Sequence, residues 1–196
     1  MTAIECFFLR PSAFAQETLR RYTYSNDCPN TKYHTCSVEI NVVPYDLAIP
    51  HDGEPGKGIE HNDPRWPTEC QCGYKFKPED EWQHQLIRLY WRSDHLALRV
   101  TLSDAPVGSL FYGDWYHWRG PDRHCLVVIT PGGPWIVDGP STNNDGSRGP
   151  SWTRTGEVPK ITVTPSIHFP GRYHGWLKEG YLIEVRDGVS GLCQST

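Results

Sequence analysis

The sequence predicts a mostly β fold of the α+β class: short antiparallel strands and hairpins, one or two short helical turns, and a zinc-knuckle-like N-terminal part. Three observations lead there. Runs of four to seven β-branched and aromatic residues recur between turn clusters. The 196 residues include 18 glycines and 17 prolines, so turns are frequent and long helices are excluded. Leu, Ile, Val and Phe make up only about a fifth of the chain, close to the floor of roughly 20% below which chains tend to disorder. With a net charge of only −4, the chain is expected to fold, and its eight tryptophans and ten tyrosines must supply much of the core.

The elements follow in order. Ser37 to Val43 alternates and is β-branched, which makes it a strand. Pro50 to Pro67 is a polar, Gly/Pro-rich stretch too long for an ordinary loop, so something must pin it or use it. Glu79 to Gln85, with Pro78 ahead of three acidic residues, predicts a short helix whose first turn suits negative charge. Leu86 to Arg92 and Leu96 to Leu102 form a hairpin around Ser93, Asp94 and His95. Cys125 to Thr130 and Trp135 to Asp138 flank Pro131-Gly132-Gly133-Pro134 as a second hairpin. Ser141 to Ser151 is a polar loop and Lys160 to Thr164 a strand. His174 to Leu177 and Tyr181 to Val185 form a last hairpin across Lys178-Glu179-Gly180. The expectation is a single domain over 1–196, with a Cys/His-rich part at 1–85 and a Trp-rich hairpin part at 86–196.

The sharpest local feature is Cys70-Gln71-Cys72-Gly73. Two cysteines on a tight turn with glycine directly after the second are the parts of a zinc knuckle, because glycine allows the left-handed backbone that aims both thiolates at one ion. The usual spacing is two residues, and here it is one. A tetrahedral site needs two more ligands. Cys28, His34 and Cys36 lie upstream and compete to supply them, with His51 and His61 as further candidates. A sulfur-rich set of this kind points to structural zinc, with no redox role. Hydrolytic zinc shows more His and carboxylate. Cys6, Cys125 and Cys193 carry no motif and are read as packing residues.

Several function classes fall away. No run of ~18 apolar residues exists to span a membrane. The N-terminus has no basic start followed by an apolar stretch, so no signal peptide is expected and the chain is read as made in a cytoplasm, where clustered cysteines bind metal more often than they pair. A pI near 6.1 without basic blocks gives no nucleic-acid footprint. No phosphate loop, dinucleotide fingerprint or His-Glu-x-x-His motif occurs.

Two constellations remain. Asp138 and His174, with Ser166 and His168 nearby in sequence, are weak catalytic candidates; no nucleophile elbow accompanies them, and Asp138 before Gly139 reads equally as a turn residue. Trp115, Tyr116, Trp118 and Arg119 form a dense aromatic segment that reads either as a core corner or as a face binding sugar or protein. His124 and Cys125 are adjacent on a strand, and alternation sends them to opposite faces.

Asp63-Pro64-Arg65-Trp66-Pro67 leading to Cys70-Gln71-Cys72-Gly73-Tyr74 resembles a family of uncharacterised actinobacterial phage and prophage proteins. So do Asp80-Glu81-Trp82-Gln83, Thr130-Pro131-Gly132-Gly133, Trp135 with Val137-Asp138-Gly139, and Tyr173-His174-Gly175-Trp176-Leu177, over roughly residues 20 to 185. The resemblance implies phage or prophage origin and a Cys-x-Cys motif that belongs to the family, but no reaction. Members often carry a further Cys-containing segment before the last motif; Lys160 to Ser166 has none, which leaves a second metal site without support.

The functional expectation is a non-catalytic phage accessory protein with structural zinc, a minor virion component with other phage proteins as partners, found in the bacterial host cytoplasm or the particle. The alternatives are a cytosolic factor that binds host proteins through the Trp115 segment, and a hydrolase or transferase using His174 and Asp138.

Overall fold

The computed structural model describes residues 3–23, 35–42, 49–50, 59–93, 95–142 and 148–185. Its strands, in chain order, are β1 (Ala3–Glu5), β2 (Phe7–Tyr22), β3 (Ser37–Asn41), β4 (Ile49–Pro50), β5 (Glu81–Arg92), β6 (His95–Val100), β7 (Ser109–Tyr112) and β8 (Leu126–Thr130). There follow β9 (Gly133–Ile136), β10 (Pro140–Thr142), β11 (Arg148–Ser151), β12 (Thr153–Glu157), β13 (Lys160–Thr164), β14 (Ile167–Phe169), β15 (Tyr173–Lys178) and β16 (Tyr181–Glu184). The fold is all-β, and the strands pair mostly antiparallel.

Among the described residues there is no helix, which corrects the expected helical turn at Glu79 to Gln85. The acidic residues there have other partners. The Asp80 carboxylate accepts the Lys77 N–H at 2.7 Å, and the Asp80 N–H donates to the Lys77 carbonyl at 3.0 Å, closing a turn. From Glu81 the chain is extended, and the acids that suit a helix N-terminus instead cap the entry to β5.

The chain forms two compact units from interleaved segments: Met1–Arg10, Trp91–Leu98 and Ser103–Thr196 make the first, Pro11–Tyr90 and Arg99–Leu102 the second.

In the first unit, β1, β16, β15 and β14 lie side by side in that spatial order, with Ala3 opposite Ile183 and Gly175 opposite Ile167. The β7–β8–β9 meander is antiparallel, and β7 also runs parallel to the start of β2, with Phe7 opposite Ser109. Alternation builds the core: β15 sends Tyr173, Gly175 and Leu177 inward and leaves His174, Trp176 and Lys178 on the other face. Leu110, Leu126, Val128, Ile161 and Leu177 are fully buried together. Tryptophan contributes as the composition requires: Trp135 meets Trp152 and Phe169 edge-on, each at 4.7 Å.

In the second unit, the later half of β2 pairs antiparallel with β3 (Leu19 opposite Ile40) and β4 (Ala15 opposite Ile49). Here β2 is buried without interruption from Ala15 to Leu19. It carries Glu17 inside, paired to His84 Nε2 at 2.7 Å. Arg21, also buried, lies over the Trp82 ring at 3.6 Å and the Phe76 ring at 5.1 Å, and donates to the Lys77 carbonyl.

Candidate metal centre

Two backbone arms bring three cysteines together in the second unit. The first arm is the entry to β3. The Thr23 N–H donates to the Cys36 carbonyl at 2.9 Å, and Ser37 then opens the register with Tyr22, so Cys36 is locked against the end of β2.

The second arm is a tight hairpin. Glu69 bridges Lys75, and the Phe76 N–H donates to the Thr68 carbonyl at 3.0 Å. Inside, the Cys70 N–H donates to the Tyr74 carbonyl and the Gly73 N–H to the Cys70 carbonyl, both at 2.8 Å. This is a three-residue loop closed by a glycine bulge, and Gly73 has φ of 83°. A side chain at that φ is strained, so glycine at position 73 lets the chain turn within one residue of spacing and still point both sulfurs the same way.

The sulfurs of Cys36, Cys70 and Cys72 all lie within 4.8 Å of one another. Cys36 Sγ and Cys72 Sγ are 3.7 Å apart. That is far beyond a disulfide bond of about 2.05 Å. It is close to the edge of a tetrahedron of thiolates around zinc, about 3.8 Å for Zn–S of about 2.3 Å. Cys36 is 0% exposed and Cys70 4%, while Cys72 is half-buried. Val38, Tyr74 and Phe76 pack around them. Tyr74 is tied down in turn, its hydroxyl donating to the Asp80 carboxylate at 3.1 Å. Three soft ligands in an apolar shell are a donor set that can bind a metal such as zinc. Cys28, His34 and His51 lie outside the described residues, as does Cys193. His61 is described, and its ring stacks on Trp82 at 4.6 Å, beside Trp66, rather than joining the sulfurs.

The other sequence candidates sit in the first unit. Asp138 is 5% exposed in its side chain and is gripped by Arg154. Its Oδ2 also accepts the Leu126 N–H at 2.7 Å. The carboxylate thus serves a buried ion pair and a strand end, not its own turn. Arg154 extends the network to Asp122, whose Oδ2 also accepts the Tyr112 hydroxyl at 3.0 Å. The Arg154 guanidinium holds the Asp122 carboxyl well below the usual carboxylate range, against the opposing effect of burial. His174 Nε2 faces Ser166 Oγ at 3.2 Å, and its ring is 5.0 Å from that of His168, the residue opposite it on β14.

The aromatic segment divides. Trp115 is 61% exposed, Tyr116 and Trp118 are half-buried with rings 5.8 Å apart, and Arg119 turns back on the loop. Its guanidinium donates to the carbonyls of Tyr116, Trp118 and Asp114. Arg119 therefore fixes the segment instead of reaching outward.

Sequence reasoning missed Arg154 and the pairing of His124 with Asp114, whose Nδ1 and Oδ2 are 2.7 Å apart. No spacing rule links residues ten apart across a loop. Cys125 is fully buried while His124 stays near half exposed, as alternation requires.

Comparison with protein-family models, with curated proteins and with solved structures finds no match.

Proposed function

We propose that this chain is a non-catalytic accessory protein of phage or prophage origin whose Cys36, Cys70 and Cys72 hold a structural zinc, with Cys28 or His34 as the fourth ligand. The observation that carries the reading is the convergence of three sulfurs from separate arms into an apolar shell. A closed, sulfur-rich site has no open position for water, which is the structural rather than the hydrolytic pattern. A metal staple also suits a chain poor in aliphatic residues, since it supplies stability that a small core does not. The engagement of Asp138 by Arg154 argues against the hydrolase alternative, because that carboxylate already serves a buried cation. Other proteins of the particle are the proposed partners, and the particle or the host cytoplasm the proposed location.

Two measurements test this. Elemental analysis of the purified full chain is expected to give one zinc per chain, lost in Cys70→Ser/Cys72→Ser. Mass spectrometry of purified particles is expected to find the chain in them; its absence from the particles overturns the virion assignment.

A further inference from the structure

Near the metal-free end of the sequence, the loop after β7 carries a second constellation, wholly within the first unit and independent of the metal centre. We propose that Trp115, Arg123 and His124 form a saccharide-binding site, in which an uncharged pyranose ring lies on the Trp115 indole with its hydroxyls on His124 and Arg123.

Trp115 supplies the platform. Its exposure of 61% is the largest of any large hydrophobic residue described. Burial of apolar surface is worth roughly 25 cal/mol per Å², so this ring gains by being covered. It is not a loose side chain on a loose loop. Its ring lies 6.2 Å from that of the buried Phe111 at an interplanar angle of 26°, and Arg119 ties three carbonyls of the loop together. A ligand therefore meets a surface already ordered, and the ordering cost of binding is small.

His124 supplies an oriented polar group. Asp114 fixes its Nδ1 at 2.7 Å, and the other Asp114 oxygen accepts the Cys125 N–H at 3.0 Å. The ring stacks on Tyr112 at 4.2 Å, and the Tyr112 hydroxyl is itself held by Asp122. With Nδ1–H donated to a carboxylate, Nε2 is the acceptor. Among the described residues nothing occupies Nε2, and the side chain is 46% exposed. Next to it, Arg123 adopts φ of 68°, a left-handed conformation that costs a non-glycine residue roughly 1 kcal/mol. Its exposed guanidinium has no hydrogen bond or ion pair among the described residues.

The charges select the ligand class. The carboxylates of Asp114, Asp122 and Asp138 face the guanidiniums of Arg119, Arg123 and Arg154, so the area carries no excess charge to capture an anion. One exposed ring, with Tyr116 and Trp118 half-buried, is too little for a stable protein interface, which covers about 800 Å² per partner. An aromatic face beside an acceptor and a donor matches a pyranose, which presents C–H groups on one side and hydroxyls at its rim.

The test uses the full, metal-loaded chain and four neutral probes: maltohexaose, cellohexaose, mannohexaose and chitohexaose. Calorimetry is expected to give a Kd of about 1 mM or tighter for at least one, with a shift of the Trp115 indole N–H resonance. Trp115→Ala is expected to weaken binding at least tenfold and His124→Asn several-fold, with zinc content and circular dichroism unchanged. No binding by any probe at about 10 mM overturns the proposal, as does undiminished binding by Trp115→Ala. Preference for a sulfated hexasaccharide over all four overturns the uncharged class. Each failure leaves zinc content untouched and so stands apart from the metal reading.

Discussion

Arg154 grips Asp138 with two nitrogens, Nε to Oδ1 and Nη2 to Oδ2, both at 3.1 Å, while Nη1 and Nη2 reach Asp122 at 3.0 and 2.6 Å. The Arg154 side chain is 3% exposed. Removing the cation strands a buried carboxylate, so Arg154→Met is expected to cost about 3–5 kcal/mol in urea unfolding. Asp122 is one third exposed, and water screens part of its loss. Asp122→Ala is expected to cost less, on the order of 1–2 kcal/mol.

Acid exposes the same network. Asp122 and Asp114 both titrate below the ordinary carboxylate range when folded. For Asp122 the Arg154 hydrogen bonds lead, opposed by burial; for Asp114 burial opposes, and the His124 and Cys125 hydrogen bonds outweigh it. A depressed folded pKa gives stability that is full above the unfolded value of about 3.9 and lost as pH falls through the folded one. The stability gap between wild type and Asp122→Asn is therefore expected to hold at neutral pH and to narrow below about pH 4. A gap constant with pH would contradict this.

Alkali acts on a different part of the first unit. Burial pushes the Cys6 thiol and the Tyr173 hydroxyl each up to about 12. A raised folded pKa in an acid means that stability is full below the unfolded value, about 8.5 for Cys and 10 for Tyr, and declines as pH rises toward the folded one. Cys6→Ala is expected to flatten the loss of stability between about pH 9 and 12.

Tyr173 has a further consequence at neutral pH. Its buried hydroxyl meets no hydrogen-bond partner among the described residues. Tyr173→Phe removes that group and is expected to stabilise the chain by about 1 kcal/mol, read as a rise in the urea midpoint.

Metal removal is expected to act on the second unit first. A chelator, or Cys72→Ser, should abolish the near-ultraviolet dichroism of the Trp66–Trp82 pair, whose rings meet edge-on at 5.0 Å. Gly73→Ala strains the knuckle backbone by about 1 kcal/mol. It is expected to weaken zinc affinity without changing stoichiometry, measured by competition with a chromophoric chelator.

Much of the strand pattern is legible in the residues. Lys160 to Thr164 is a strand with the predicted bounds, and the hairpins at Arg92/His95 and Lys178/Tyr181 fall where turn chemistry puts them. Cys70, Cys72 and Gly73 declare themselves by spacing, because the turn that aims them is local. The long strand β2 is not legible: Pro11 interrupts it, and Gln16, Glu17 and Thr18 lie buried where a pattern of alternating polarity expects exposure. Those polar groups are matched by partners far along the chain, such as His84 for Glu17. Arg154 with Asp138 and His124 with Asp114 are hidden for the same reason, since pairing across loops leaves no periodic trace.

The pairing of Ala3 with Ile183 sets a timetable for synthesis. The first strand to leave the ribosome waits for the sixteenth before its edge is covered, and Phe7 waits for Ser109. Contacts this distant along the chain form slowly and leave strand edges open meanwhile. The Cys70–Tyr74 turn, by contrast, closes within a handful of residues. A nascent chain can thus own its knuckle long before it owns its first sheet, and the supply of metal during translation becomes an early determinant of how much protein survives.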